Sequence, residues 1–175
     1  GGLFLGGGAM TVLYGIRGED GRRLSRPLLA RAVNLAWGWT ELPRIEVSSR
    51  GKPFFPDHLE KRFSLSHSGG IALCALSDGG AVGVDVELVR PHREGLPRYA
   101  LSEEELAEFD GSWEDFARLW TLKESWCKRQ DSPLFPPRRA GMPDCPRRSY
   151  GGDGWRGAVC CSDEPPEDII WLDGL

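Results

Sequence analysis

No stretch of the chain approaches the roughly 20 consecutive apolar residues of a membrane-spanning helix, so no part of it is expected to cross a bilayer. Basic charge is not in excess: 22 Lys and Arg against 26 Asp and Glu leave a net charge of −4. That balance excludes the positive surface of a general nucleic-acid binder. The five cysteines, Cys74, Cys127, Cys145, Cys160 and Cys161, show no C-x-x-C spacing. An odd number, several of them inside apolar runs, reads as reduced, buried thiols of a cytoplasmic protein. There is no internal repeat and no linker that cleanly separates two domains. The opening run, residues 1–9, lacks the basic start and long apolar core of a signal peptide. It is set aside as an appended or disordered segment, with Met10 a natural first residue. What is present is an ordinary globular composition, 40% hydrophobic and 27% charged over 175 residues. That suffices for one compact unit with a real core.

Residues 11–16 predict a first strand. A helix is expected from about Ser25 to Trp37, with Ser25 as cap, Pro27 in the first turn, an apolar stripe of Leu28, Leu29, Ala32, Val33 and Ala36, and Gly38 as the stop. Three strand-like runs follow, 63–67, 71–76 and 81–89. They are joined by Ser68-Gly69-Gly70 and Asp78-Gly79-Gly80, links short enough for antiparallel hairpins. Ser102 with Glu105 forms a capping box for a short helix, and Ser112 with Asp115 opens a longer one to about Arg129. Residues 131–154 look irregular, and 155–161 and 168–172 read as late strands.

The most informative run is Ala81-Val82-Gly83-Val84-Asp85-Val86-Glu87-Leu88-Val89. In an extended strand Val82, Val84, Val86 and Leu88 share one face, and Asp85 and Glu87 share the other. Paired carboxylates raise each other's pKa or take a cation between them, and Mg²⁺ accepts such oxygen ligands. A polar outer strand face is the plainer alternative. In the later helix, Glu124 lies on a stripe with Phe116, Trp120 and Cys127, where a carboxylate needs a partner. Lys128, four residues on, can make an ordinary Glu–Lys helix pair. With Lys123 it can equally bind a phosphorylated substrate beside a cation held by Asp85, Glu87 and Glu124. Phe63-Ser64-Leu65-Ser66-His67-Ser68-Gly69-Gly70 suggests either a solvated turn or an anion cradle. A Ser/His hydrolase is disfavoured: Ser66 and His67 face opposite ways, and no G-x-S-x-G elbow occurs. Lys52, in Gly51-Lys52-Pro53, and Arg22, in a cluster with Arg23, Arg26 and Arg31, are by themselves solvated charges.

Taken in order, Gly51-Lys52-Pro53, the Phe63–Gly69 run, Gly83-Val84-Asp85-Val86-Glu87 and Trp120-Thr121-Leu122-Lys123-Glu124-Ser125-Trp126-Cys127-Lys128 closely resemble the 4'-phosphopantetheinyl transferase superfamily, in its longer, monomeric Sfp type. The resemblance implies an α+β fold of two similar α/β halves, a pseudo-dimer with antiparallel strands and a coenzyme A cleft between them. The halves would divide as 10–89 and 90–175. It implies transfer of 4'-phosphopantetheine from coenzyme A to a serine of an acyl or peptidyl carrier protein, with Mg²⁺ as cofactor. Asp85, Glu87 and Glu124 would be the metal ligands. Lys128 would contact the pyrophosphate, and Lys52, Ser66, His67 and Arg22 would hold the nucleotide. Glu124 is the first choice for the base and Glu105 the second. A coenzyme A- or carrier-binding homologue without activity and a Mg²⁺-dependent phosphohydrolase are the alternatives.

Overall fold

The computed structural model describes residues 10–131, 141–142 and 144–175. The expectations for residues 1–9 and for the stretch 132–140 lie outside the described residues. The chain is mixed α+β with antiparallel sheets. The first sheet contains β1 (Thr11–Arg17), β4 (Lys61–Ser68), β5 (Ile71–Asp78) and β9 (Ile170–Trp171), in the order β4-β5-β1-β9. The second contains β6 (Gly83–Leu88), β7 (Arg147–Gly152) and β8 (Trp155–Cys160), in the order β6-β8-β7. Two short strands, β2 (Glu46–Val47) and β3 (Pro53–Phe54), pair with each other. The helices are α1 (Gly21–Trp37), α2 (Leu96–Ala100), α3 (Glu103–Glu108) and α4 (Trp113–Gln130). Among the described residues no helix is long and apolar enough to span a membrane.

Alternation along the strands creates the layers. Tyr14, Ile16, Phe63, Ala72, Cys74 and Leu76 face α1 and bury its stripe of Leu28, Leu29, Ala32 and Val33. Leu13, Leu73 and Ala75 face the other way and meet Val82, Val84, Val86 and Val159 of the second sheet. The two sheets therefore share one core, and α4 covers the far side of β6 and β8. A third cluster joins Ala100 and Leu101 to Phe116 and Leu119. Gly83 shows how tightly α4 lies on β6: a Cβ there would stand 2.0 Å from the Ser125 carbonyl oxygen and 2.4 Å from the Arg129 nitrogen. Pairing crosses residue 89 in both directions, since β6 bonds to β8 and β9 returns to lie parallel to β1.

Several expectations are corrected. Helix α1 begins at Gly21, capped by Asp20, whose carboxylate accepts from the Arg22 N–H at 3.0 Å. Ser25 is thus inside the helix, where its hydroxyl donates to the Gly21 carbonyl, and Pro27 is interior as well. Gly38 does end the helix, in the left-handed region at φ 72°. The first Gly-rich link makes a β4–β5 hairpin, but the second does not pair β6 with β5. Both edges of β5 are already taken by β4 and β1, so the chain must leave the sheet at Gly79-Gly80. The 131–154 region contains a strand, β7. It is polar and mostly exposed, which hides it from a hydrophobic pattern. The two later predicted caps are present: Ser102 and Glu105 form the full capping box, and the Ser112 hydroxyl accepts from the Asp115 N–H.

Candidate active site

Asp85 leaves the valine face of β6 and points toward α4, where it is only 4% exposed. Its Oδ1 accepts from the Lys128 ammonium and from the Ser66 hydroxyl, each at 3.1 Å. Its Oδ2 is buried without a hydrogen-bond partner. Burial holds the carboxyl above the usual range, while Lys128, Ser66 and the Val86 N–H pull it down. Glu87 is half-buried, and burial and then the Asp85 charge push it up to about 7 against Arg90 and Lys128. Glu124 is raised by burial and by Asp85, with Lys128 opposing. Three acids from β6 and α4 thus share one electrostatic neighbourhood, with Lys128 the ammonium that bears on all three.

The serines of β4 hold this arrangement by an unusual device. The hydroxyls of Ser64, Ser66 and Ser68 accept from the backbone N–H groups of Val84, Val86 and Leu88, at 3.0, 3.1 and 3.1 Å. A ladder of side chains therefore replaces the carbonyls of a neighbouring strand and ties β6 to the edge of the first sheet. The alternating serines are the sequence signal for this ladder, although the pattern reads equally well as a hydroxyl cradle for an anion. Ser66 alone of the three adds a bond to a carboxylate.

Beside the acids lies a cavity of about 320 Å³ lined by Arg50, Lys52, Phe63, Leu65, Glu124 and Lys128, among others. Lys52 forms part of its wall. Its ammonium donates to the Val82 carbonyl at 2.9 Å and to the Lys128 carbonyl at 2.6 Å, pinning the start of β6 to the last turn of α4. Burial lowers its pKa to about 8. His67 is exposed and lies on the face of β4 that carries Phe63 and Leu65, one step beyond the cavity wall. Arg22 is exposed in the first turn of α1, whose N-terminus abuts the β4–β5 turn through the bond from the Gly21 N–H to the Gly69 carbonyl. Two lysines of the sequence reading thus bound the cavity, while Arg22 and His67 stand at the same end of the first sheet.

Lys123 is not beside this cavity. It is 1% exposed, and its ammonium sits 2.6 Å from Glu105 Oε1, which also accepts from the Ser102 N–H. The expectation that it assists in binding a phosphorylated substrate is therefore corrected. Helix geometry accounts for the difference: Lys123 and Glu124 are adjacent, so they project about 100° apart. On the other side of Glu87, a second cavity of about 240 Å³ is walled by Arg90, His92, Trp113, Phe116 and Trp120. Sequence reasoning missed Arg90 and His92, which follow the strand in an irregular loop.

The donor chemistry fits a hard divalent cation: carboxylate oxygens only, one of them buried with no other partner. Among the described residues, however, no three His, Cys, Asp or Glu side chains form a ready-made metal cluster. In this structure the Lys128 ammonium supplies the positive charge nearest Asp85.

A profile of the 4'-phosphopantetheinyl transferase superfamily matches residues 81–150, which include β6, α4 and all three acids. The chain is 38% identical over 118 residues to the 4'-phosphopantetheinyl transferase AcpT of Escherichia coli strain K12, a match covering 63% of this chain and 60% of that protein. It is 29% identical over 153 residues to the 4'-phosphopantetheinyl transferase Sfp of Bacillus subtilis strain 168, covering 74% of this chain and 68% of that protein. It is 31% identical over 153 residues, with the same coverage, to the 4'-phosphopantetheinyl transferase ffp of Bacillus subtilis. The chain thus spans about 60% of the length of the AcpT relative and about two thirds of the other two. On the profile match and on the ffp relative, the chain belongs to the 4'-phosphopantetheinyl transferase superfamily.

Proposed function

We propose that the chain transfers the 4'-phosphopantetheine group of coenzyme A to a serine hydroxyl of an acyl or peptidyl carrier protein, releasing adenosine 3',5'-bisphosphate. The observation that carries this reading is the gathering of Asp85, Glu87, Glu124 and Lys128 in one electrostatic neighbourhood, with Glu124 and Lys128 lining a cavity that Lys52 also lines. Three acids of raised pKa, two of them pushed up further by the charge of Asp85, next to an ammonium group suit a diphosphate ligand and a hard cation better than they suit a stable core. Asp85, Glu87 and Glu124 are the side chains that would hold Mg²⁺, which when bound would neutralise charge on the diphosphate.

The remaining chemistry falls to the chain's own groups. Lys128, already turned toward the acids, places an ammonium where the diphosphate oxygens gain charge as the serine oxygen attacks phosphorus. Glu124 is the proposed acceptor of the serine proton, directly or through a bound water, because it is the acid that lines the cavity beside Lys128. The new oxygen–phosphorus bond forms as the bond to the nucleotide's phosphate oxygen breaks, and the nucleotide leaves as the bisphosphate. Lys52 would face the nucleotide's phosphates, and His67 and Arg22 would extend that positive path along the first sheet. Ser66 serves by orienting Asp85. We further read the two helix-covered sheets as the two similar halves, divided near residue 89, with the coenzyme along the cavity between β4 and α4.

The test is mass spectrometry of an apo carrier protein after incubation with this chain, coenzyme A and Mg²⁺. A gain of one phosphopantetheine group is expected, and Asp85→Ala and Glu124→Ala are each expected to abolish it. No gain on a carrier that a known transferase does modify would reject the activity. Release of phosphate from small esters instead would favour a phosphohydrolase.

A further inference from the structure

One group of reactive side chains lies apart from this site. Cys145 precedes β7 and Cys160 ends β8, on neighbouring strands, with Arg147 directly opposite Cys160. The bond from the Cys161 N–H to the Pro146 carbonyl, 3.0 Å, holds the segment of Cys145 against the end of β8. The two sulfurs are 2.6 Å apart, closer than non-bonded sulfurs pack, with either thiol able to donate to the other, and both are free. Their environments differ. Cys160 is buried and its thiol is held well above the usual range by burial and then by Cys145, whereas Cys145 is half-buried and reachable. Cys161 lies on the opposite face of the strand, in the core shared by the two sheets. There its thiol is engaged with the Asp163 carbonyl at 3.2 Å.

We propose that Cys145 and Cys160 form a reversible dithiol–disulfide pair, a modification site whose co-reactant is a hydroperoxide such as hydrogen peroxide. The accessible Cys145 thiolate attacks one peroxide oxygen. The oxygen–oxygen bond breaks, the sulfur is oxidised to the sulfenic acid, and the other oxygen leaves as hydroxide, which takes up a proton as water. The Cys160 sulfur then attacks Cys145, the sulfur–oxygen bond breaks, and the Cys160 proton leaves with the hydroxyl group as a second water. Two thiols have lost two electrons and one peroxide has gained them. Proximity, not acidity, suits Cys160 to the second step: its raised pKa keeps little of it as thiolate, but its sulfur already lies next to that of Cys145. The bond would close the loop containing the β7–β8 hairpin and fasten the outer edge strand of the second sheet. Neither cysteine touches the candidate active site.

The experiment uses the full chain, reduced and then exposed to hydrogen peroxide, with remaining thiols alkylated in denaturant and the protein mapped by mass spectrometry without reduction. The expected result is one Cys145–Cys160 linkage, three alkylated cysteines, and reversal by dithiothreitol. A melting temperature about 5–10 °C higher in the oxidised form is expected for a loop of this length. Cys145→Ser should leave the other four thiols alkylated and abolish the shift, and Cys161→Ser should leave both linkage and shift in place. Should Cys145→Ser fail to fold, Cys145→Ala gives the same readout. Five alkylated cysteines after oxidation, a linkage through Cys161, or Cys145 recovered only as sulfinic acid would each overturn the proposal.

Discussion

Replacing Ser66 by Ala separates two tasks that one hydroxyl performs. The Ser66 oxygen accepts from the buried Val86 N–H and donates to Asp85 Oδ1, each at 3.1 Å. Loss of the acceptor leaves a buried N–H without a partner, a cost of about 1–3 kcal/mol. For a chain of this size that corresponds to a fall in Tm of roughly 2–12 °C. Loss of the donor deprives a carboxylate of a hydrogen bond worth about 1.5–3 kcal/mol. If Asp85 must be ionised and fixed in the transition state, turnover falls roughly 10- to 100-fold. Ser64→Ala is the matched comparison. Its hydroxyl accepts from the Val84 N–H at 3.0 Å and has no carboxylate bond, although it also lies on the cavity wall. Both variants should melt earlier, Ser66→Ala by at least as much as Ser64→Ala because it loses two buried bonds rather than one, and Ser66→Ala should lose far more turnover. Its pH–rate profile should also move its acid limb upward, because Ser66 is one of the groups holding Asp85 down. The assay is phosphopantetheine transfer followed by mass shift of the carrier, alongside thermal melts. Equal turnover in the two variants, with equal loss of stability, would show that Ser66 only ties the sheets together.

Lys52→Met removes the link between the Val82 and Lys128 carbonyls, so it should lower Tm as well as raise the KM for coenzyme A. His67→Ala should raise KM with Tm unchanged, and an unchanged KM in both would remove them from the nucleotide path. Glu105→Gln strands the buried Lys123 ammonium and should cost about 3–5 kcal/mol. The Glu105→Leu/Lys123→Met double variant should recover much of that loss in melts. If the double variant transfers at the wild-type rate, Glu105 is a packing residue, whereas a large loss of turnover at full folding would make it the base. In metal-free protein, Glu87 rises from 4.5 unfolded to about 7 folded, so the folded state binds more protons between those values. Stability from this group is complete below about 4.5 and is lost as pH rises through about 7. Melts in chelator should therefore show Tm falling across that window, and Glu87→Gln should flatten the slope. A Tm that rises across the window in the wild type but not in Glu87→Gln would contradict the sign.

What the sequence revealed of the site depended on a period of two. Val82, Val84 and Val86 had to face a core, so Asp85 and Glu87 had to face elsewhere, and the structure has the valines in the shared core and Asp85 against α4. The capping of α3 and α4 was equally legible, because Ser102, Glu105 and Ser112 act on atoms within a few residues of themselves. The misreadings at the second Gly-Gly link, the β4 serines and Lys123 share a physical origin in distant competition for hydrogen-bonding groups, whereas the Ser25 cap was lost to a local one, Asp20. A Gly-Gly link states that the chain turns, but it cannot state that β5 has no free edge to receive the next strand. Three alternating serines state that hydroxyls line one face, but their acceptors and donors on β6 lie twenty residues away. Lys123 and Lys128 look alike as cations of one helix, and only the placement of α3 decides that one is consumed by Glu105 while the other remains at the acids. The same reasoning favours a functional over a structural account of Asp85. A fold that needed only stability would pair both oxygens of so deeply buried a carboxylate. Here a lysine and a serine are both spent on Oδ1, while Oδ2 is left without a partner. An acid held at that cost, whose charge raises the pKa of both Glu87 and Glu124, is arranged to receive positive charge from a ligand.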